Sequence, residues 1–262
     1  MVRILHEMCN GFYTIFLPNA TFFTYICPSK DMLYTRHPST LSVPVVRDHR
    51  GHLAYIQQSG FLPFVPSDVR WSASGASSEA VSGPAGFISL DNPEKLHISP
   101  SGEPLSAVGN GPFITLRPEA APQPHILCAT SHSLTTSTIC RRISAPEVAP
   151  GWFGTPPGFP CRRIYYIYDT PAGAVRGGHS HLAEHRLLIA LKGQMRVVVT
   201  DSMTTLSFQL SSPAEALYIP PGIWREIDSF EAGSVCLALS STEYDPDDYV
   251  RDFSMFKSLK RL

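Results

Sequence analysis

The chain has 262 residues, a formal net charge of −1 and 24 prolines, most of them in its middle. No general basic field is available for nucleic acid, and the folded mass is smaller than the length allows. Six cysteines, Cys9, Cys27, Cys128, Cys140, Cys161 and Cys236, stand far apart with no C-x-x-C pair, which argues against a zinc finger and for reduced, structural thiols.

Residues 1–40 are aromatic and patternless and read as a poorly ordered N-terminal extension. The apolar run from Gly11 to Cys27 is interrupted by Pro18 and Asn19 and falls short of the roughly 20 residues a spanning helix needs. A weak signal peptide or anchor is the lesser reading of that run, and a cytoplasmic protein is expected. In residues 41–70, Asp48-His49-Arg50-Gly51 marks a turn and Leu53-Ala54-Tyr55-Ile56 a strand. From 71 to 158 Ser, Pro and Gly crowd together with no sustained period of 2 or 3.6. Such a composition buries too little apolar area to offset chain entropy, so a disordered or loosely looped insertion is expected there.

Between 159 and 262 the texture changes to short β-branched and aromatic runs separated by turns. Strands are expected at Arg162–Tyr168, Leu187–Leu191, Met195–Thr200, Leu206–Leu210, Ala216–Ile219 and Val235–Ser240. Lys192-Gly193 and Asp201-Ser202 supply hairpin turns, and Pro220-Pro221-Gly222 cannot continue a ladder. Asp247–Lys257 has the spacing of a short helix or capping arm. The expected fold is all-β: a cupin or jelly-roll β-barrel with its core in 159–262 and its first strands in 41–70.

The chemistry concentrates in Gly173-Ala-Val-Arg176-Gly177-Gly178-His179-Ser180-His181. Two His at i and i+2 on a strand share one face, so both line the barrel interior if one does. Against the metal-binding cupin template G-x5-H-x-H-x4-E-x6-G, Gly173, His179, His181 and Gly193 match, but Arg186 stands at the Glu position. In the second template, P-x-G-x2-H, the His position is Arg225. Two guanidiniums repel a cation, so no metal is expected, with Glu184 and His185 as off-template ligands in the lesser reading. The His pair is then free for proton transfer next to a carbonyl, a task suited to a group that titrates near neutral pH. Arg163, Arg176 and Arg225 are candidates to clamp phosphate oxygens, although Arg163 reads equally well as a solvated strand end. Tyr165, Tyr166 and Tyr168 alternate across the two faces. Trp224 either stacks on a base or sugar or plugs the barrel mouth.

At these residues the chain resembles the dTDP-4-keto-6-deoxyglucose 3,4-ketoisomerases, cupin enzymes of deoxysugar biosynthesis. The matching segments are RRIYYIYD (162–169), RGGHSH (176–181), LYIPPGIWRE (217–226) and YDPDDYVRDF (244–253), with RDHRGHLAYI (47–56) and LPF (62–64) upstream. Family members pass almost directly from that LPF into the RRIYYIY strand, whereas here a long stretch intervenes. Where they show HAH followed by Lys, this chain has His179-Ser180-His181-Leu182.

The resemblance implies a homodimer with swapped N-terminal strands, a dTDP-linked keto sugar as substrate and an enediol intermediate; from charge, the interrupted apolar run and the arginines at ligand positions, no nucleic acid, no membrane and no cofactor are expected. It implies His181 as the base that moves hydrogen between C3 and C4, His179 assisting at the oxygens, and Tyr166, Arg176 and Arg225 in contact with substrate. Two other readings are a nucleotide-sugar 3,5-epimerase, which pairs its base with a Tyr acid, and a non-catalytic sugar-binding cupin.

Overall fold

The computed structural model describes residues 12–15, 23–26, 39–57, 66–73, 84–100, 111–118, 140–149, 152–156 and 159–260. The remainder of the 1–40 extension and the LPF segment lie outside them. An N-terminal hairpin pairs β1 (Phe12–Ile15) with β2 (Phe23–Ile26), and β3 (Ser39–Ser42), β4 (Val45–Asp48) and β5 (Gly51–Gln57) follow. The intervening stretch supplies β6 (Pro66–Ser72), β7 (Ala85–Ser89), β8 (Lys95–Ser99), β9 (Phe113–Pro118), β10 (Arg141–Ser144), β11 (Glu147–Ala149) and β12 (Trp152–Gly154). Then come β13 (Arg163–Tyr168), β14 (Arg176–His181), β15 (Arg186–Lys192), β16 (Met195–Thr200) and β17 (Thr205–Leu210). The last strands are β18 (Glu215–Ile219), β19 (Trp224–Asp228), β20 (Val235–Ser240) and β21 (Tyr249–Val250), before a helix at Phe253–Leu259. Among the described residues, no helix is long and apolar enough to cross a membrane.

Apart from the β1–β2 hairpin, the strands form three layers. A central sheet runs β10-β18-β15-β20-β13-β5-β4, and a smaller sheet, β17-β16-β19-β14-β21, closes over its inner face as the jelly-roll barrel. Tyr165, Ile167, Leu188, Leu217 and Ala238 of the central sheet meet Met195, Val197, Val199 and Ile227 of the smaller one. A third sheet, β11-β12-β6-β9-β7-β8-β3, covers the outer face. There Ile164, Tyr166, Leu187, Ile189 and Leu239 pack against Val69, Trp71, Ile88, Leu96 and Leu116.

The burial of each strand follows from this layering. β13, β15 and β20 read RIYYIY, RLLIALK and VCLALS and are buried at nearly every position, while β16 alternates between buried and more exposed positions and β17 between half-buried and exposed ones. A strand with both faces covered needs a continuous apolar run, and one with a wet face needs alternation.

The disordered or loose insertion expected over 71–158 is corrected at its described residues, which form β7 to β12 and the end of β6. Its short apolar runs cannot support a core of their own, but each Ile, Leu or Val they lay on the central sheet is worth about 1.5–3 kcal/mol. Trp71 Nε1 donates to the Pro213 carbonyl at 2.8 Å and fixes this cover sheet to a barrel loop. The segments also cross the expected limits. β3 and β6 belong to the cover sheet, while β10, from within the insertion, pairs with β18 as an edge strand of the central sheet.

Candidate active site

β14 carries the histidines, and its glycines set their aim. Gly177 and Gly178 have φ of +91° and +67°, and the β14–β19 register shifts between Gly177 and His179. A Cβ at Gly177 would stand 2.7 Å from the Arg225 carbonyl oxygen, so only glycine permits this close approach. Past the bulge, His179 pairs with Arg225 of β19, and His181 pairs with Tyr249 of β21. The ring centroids of His179 and His181 lie 5.0 Å apart.

Each ring has its hydrogen-bonding roles assigned by its partners. His179 Nδ1 lies 2.9 Å from the Gly177 carbonyl oxygen, and His181 Nδ1 lies 2.7 Å from Asp248 Oδ2. A carbonyl and a carboxylate only accept, so both Nδ1 atoms carry the hydrogen. Arg225 Nη2 donates to His179 Nε2 at 2.8 Å and to His181 Nε2 at 3.0 Å. Since a guanidinium only donates, both Nε2 atoms present lone pairs.

Burial holds His179 in the neutral form, at about 4, aided by the positive charge of Arg186, Arg251 and Arg163. Burial and then Arg186 drive His181 further down; Asp248 pulls the other way, but the Arg225 hydrogen on Nε2 requires the neutral ring. Burial raises the Asp248 carboxyl above its usual value, against amide hydrogen bonds that lower it.

Beneath the pair sits a closed ionic cluster. Glu184 is paired with Arg186 and with Arg163, the latter at 3.4 Å, and accepts from Ser240 Oγ at 3.2 Å. The two guanidiniums flank the Tyr165 ring at 5.3 and 5.0 Å from its centroid. Arg163 Nη2 also donates to the Tyr249 hydroxyl at 3.2 Å, and the Tyr249 ring lies 4.2 Å from that of His181.

His181, Glu184 and Asp248 place one donor atom each within 4.8 Å of one another, a spacing that admits a metal. The donor set does not suit one: two guanidiniums hold Glu184, and Arg225 faces His181 Nε2. His185, the other off-template candidate, turns to the Tyr218 hydroxyl at 2.7 Å.

Of the expected site residues, the structure brings together His179, His181, Arg225 and Arg163. Arg163 is buried beside Tyr165 rather than being a solvated strand end. Tyr166 is a correction: Arg163, Tyr165 and Ile167 face the barrel interior, so by the strand period Tyr166 faces the cover sheet, where its hydroxyl donates to the Pro93 carbonyl. Trp224 is another. Its neighbour Arg225 points inward, so Trp224 points out and packs on Phe253 and Phe256 of the C-terminal helix, at 4.9 and 5.6 Å between centroids. Arg176 sits apart from the histidines, with Nε donating to the Arg50 carbonyl at 3.1 Å and Nη2 3.6 Å from Asp48. Sequence reasoning missed Asp248 and Tyr249, and it named Glu184 only as an off-template metal ligand and Tyr165 only as one of three alternating tyrosines. The signal for the first two lay in YDPDDYVRDF, whose two-residue β21 brings them onto β14.

The profile of a family described as FdtA, WxcM-like, C-terminal matches residues 150–261. The TDP-4-oxo-6-deoxy-alpha-D-glucose-3,4-oxoisomerase of Aneurinibacillus thermoaerophilus is 37% identical over 99 residues, which are 38% of this chain and 71% of that protein. A sugar 3,4-ketoisomerase from Thermoanaerobacterium thermosaccharolyticum, solved in complex with TDP, aligns at 29% identity with a TM-score of 0.44, over 47% of this chain and 94% of its own. A TDP-fucose-3,4-ketoisomerase from Campylobacter jejuni aligns at 26% identity with a TM-score of 0.44, over 46% and 95%.

Proposed function

The chain belongs to the TDP-sugar 3,4-ketoisomerase family, and from that premise we propose that it interconverts the 4-keto and 3-keto forms of a dTDP-linked 6-deoxyhexose through an enediol. The observation that carries the mechanism is the pair of neutral imidazoles with Nδ1 anchored and Nε2 lone pairs facing one spot. A 4-keto group acidifies the hydrogen on C3. His181 takes it at Nε2, and the imidazolium so formed is stabilised by Asp248 at 2.7 Å. His179, anchored only by a neutral carbonyl, suits the lighter task of carrying the O3 proton to O4. Return of the first proton to C4 from His181 gives the 3-keto sugar. No resident cation enters the scheme, because arginines already engage Glu184 and Asp248 is taken up by His181 Nδ1 and the Ala183 amide.

The 3,5-epimerase reading would take Tyr249, whose ring lies 4.2 Å from that of His181, as its acid, but Arg163 already holds that hydroxyl at 3.2 Å; the non-catalytic reading has no observation of its own in the site. The homodimer is proposed on surfaces other than the outer face of the central sheet, which this chain's own cover sheet occupies. The test is proton NMR of the protein with dTDP-4-keto-6-deoxyglucose, following appearance of the 3-keto product, alongside His181→Asn and His179→Asn. His181→Asn is expected to bind dTDP-sugar and not turn it over. Full activity in both variants would sink the proposal.

A further inference from the structure

One group occupies both lone pairs that the chemistry needs. Arg225 Nη2 carries two hydrogens and stands 2.8 and 3.0 Å from the two Nε2 atoms. Both Nδ1 hydrogens are already committed, so neither ring retains a nitrogen free to accept a proton from carbon. A guanidinium donates hydrogen bonds and does not serve as an acid. As arranged in the free protein, it holds both bases capped.

Arg225 is also a buried cation without a counter-charge. It is 2% exposed, and among the described residues no carboxylate pairs with it, whereas Arg163 and Arg186 share Glu184. A buried, uncompensated charge is costly, and it is retained most usefully where opposite charge develops. Its backbone cannot drift, since β19 is held between β14 and β16 at His179 and Val199. Only the guanidinium is free to exchange partners.

We propose that Arg225 is a lock on the two histidines which the substrate opens. Its Nη2 hydrogens pass from the two imidazole nitrogens to the two neighbouring oxygens of the keto sugar, O4 and O3. The exchange uncaps His181 as the C3 hydrogen arrives and places positive charge against the forming enediolate. The keto and hydroxyl oxygens of the substrate offer Nη2 acceptors in place of the two imidazoles on binding, and these bonds strengthen as negative charge develops on O4, when donor and acceptor are both charged. This rests on the isomerase reading.

The experiment compares the full-length wild type with Arg225→Ala and Arg225→Gln. Diethyl pyrocarbonate labelling of His179 and His181, read by peptide mass spectrometry without substrate, reports the lone pairs; NMR turnover of dTDP-4-keto-6-deoxyglucose reports catalysis. Arg225→Ala is expected to label at least about tenfold faster and to turn over about 100-fold or more slower, the usual scale for losing one such donor. Millimolar methylguanidine should restore both protection and turnover, and methylammonium neither. Arg225→Gln, which keeps two hydrogens without the charge, should label slowly and still be inactive.

Unchanged labelling in Arg225→Ala, or wild-type turnover in Arg225→Gln, overturns the lock. If Arg225→Ala does not fold, Arg225→Gln alone decides. If the three proteins show the expected labelling pattern but the wild type never converts the keto sugar, the isomerase reading is overturned instead, and with it the substrate half of the proposal.

Discussion

Replacing Asp248 by Asn is the sharpest probe of the His181 assignment, because the carboxylate accepts at both oxygens. Oδ2 takes the His181 Nδ1 hydrogen at 2.7 Å, and Oδ1 takes the Ala183 amide hydrogen at 2.6 Å. Asn has one oxygen. If it serves Ala183, the Asn amide group donates to His181 Nδ1 and forces the hydrogen onto Nε2, where the base must be bare. If it serves His181, two donors collide at Ala183, at a cost of about 1–3 kcal/mol for the unmet group. Either way the imidazolium loses its charged partner, worth about 1.5–3 kcal/mol, or roughly a 10- to 150-fold loss in rate. The tautomer flip multiplies this further, so a kcat loss of about 100-fold or more is expected, with KM within about threefold. Steady-state turnover by NMR, with a melting curve as control, measures both. A kcat within about fivefold of wild type in a variant of unchanged melting temperature would refute the assignment of Asp248 as the group that orients the base.

Stability is expected to fall as pH drops from 7 to 5. Unfolded imidazoles titrate near about 6.5, while folded His179 is held at about 4 and His181 is pushed lower. Over that window the unfolded chain binds protons that the folded one does not, so stability present above 6.5 is lost towards 4. Calorimetry should show a shallower fall for His179→Asn, and equal slopes would count against burial of a neutral ring. Tyr166→Phe should lower stability by about 1 kcal/mol, through the lost bond to Pro93, and leave kcat unchanged. A drop in kcat would return Tyr166 to the site. Joining Phe64 directly to Arg162 removes all of the cover sheet but β3, together with the edge strand β10, and bares Ile164, Tyr166, Leu187, Ile189 and Leu239. Light scattering should find that protein self-associated or aggregated, and a soluble monomer with the wild-type melting temperature would show the cover to be dispensable.

The barrel strands were legible because β-branched runs and Gly or Pro turns punctuate residues 162–240 so regularly, and the histidines because RGGHSH couples a glycine bulge to an i, i+2 pair. Choosing Tyr166 over Tyr165 went astray for a physical reason. In RIYYIY both faces are buried, so hydropathy carries no parity, and only the partners of Arg163 and Tyr165 tell inside from outside. Missing alternation in 163–168, 187–191 and 235–240 was itself the mark of a third layer, although nothing in the Ser- and Pro-rich stretch named the chain that forms it. Asp248 was hidden by its own neighbourhood. Asp245-Pro246-Asp247-Asp248 reads as the start of a helix, and it does form a short 3-10 turn, but its hydrogen-bond partner, His181, lies 67 residues earlier.

β6 and β12 lie side by side, Trp71 against Phe153 and Arg70 against Gly154, so the long excursion between β5 and β13 leaves and returns at one place. For the folding chain this converts a distant pairing into a near one. Loop closure costs only about 0.6 kcal/mol per doubling of length, so the excursion is tolerated at equilibrium, but non-local pairing is slow while the loop is open. Once β6 and β12 have zipped, Gln57 and Arg163, which pair directly in the central sheet, are tethered by short leads on either side of a closed knot of strands. The stretch that most resembles an interruption of the barrel therefore acts as the clasp that brings its two halves into register.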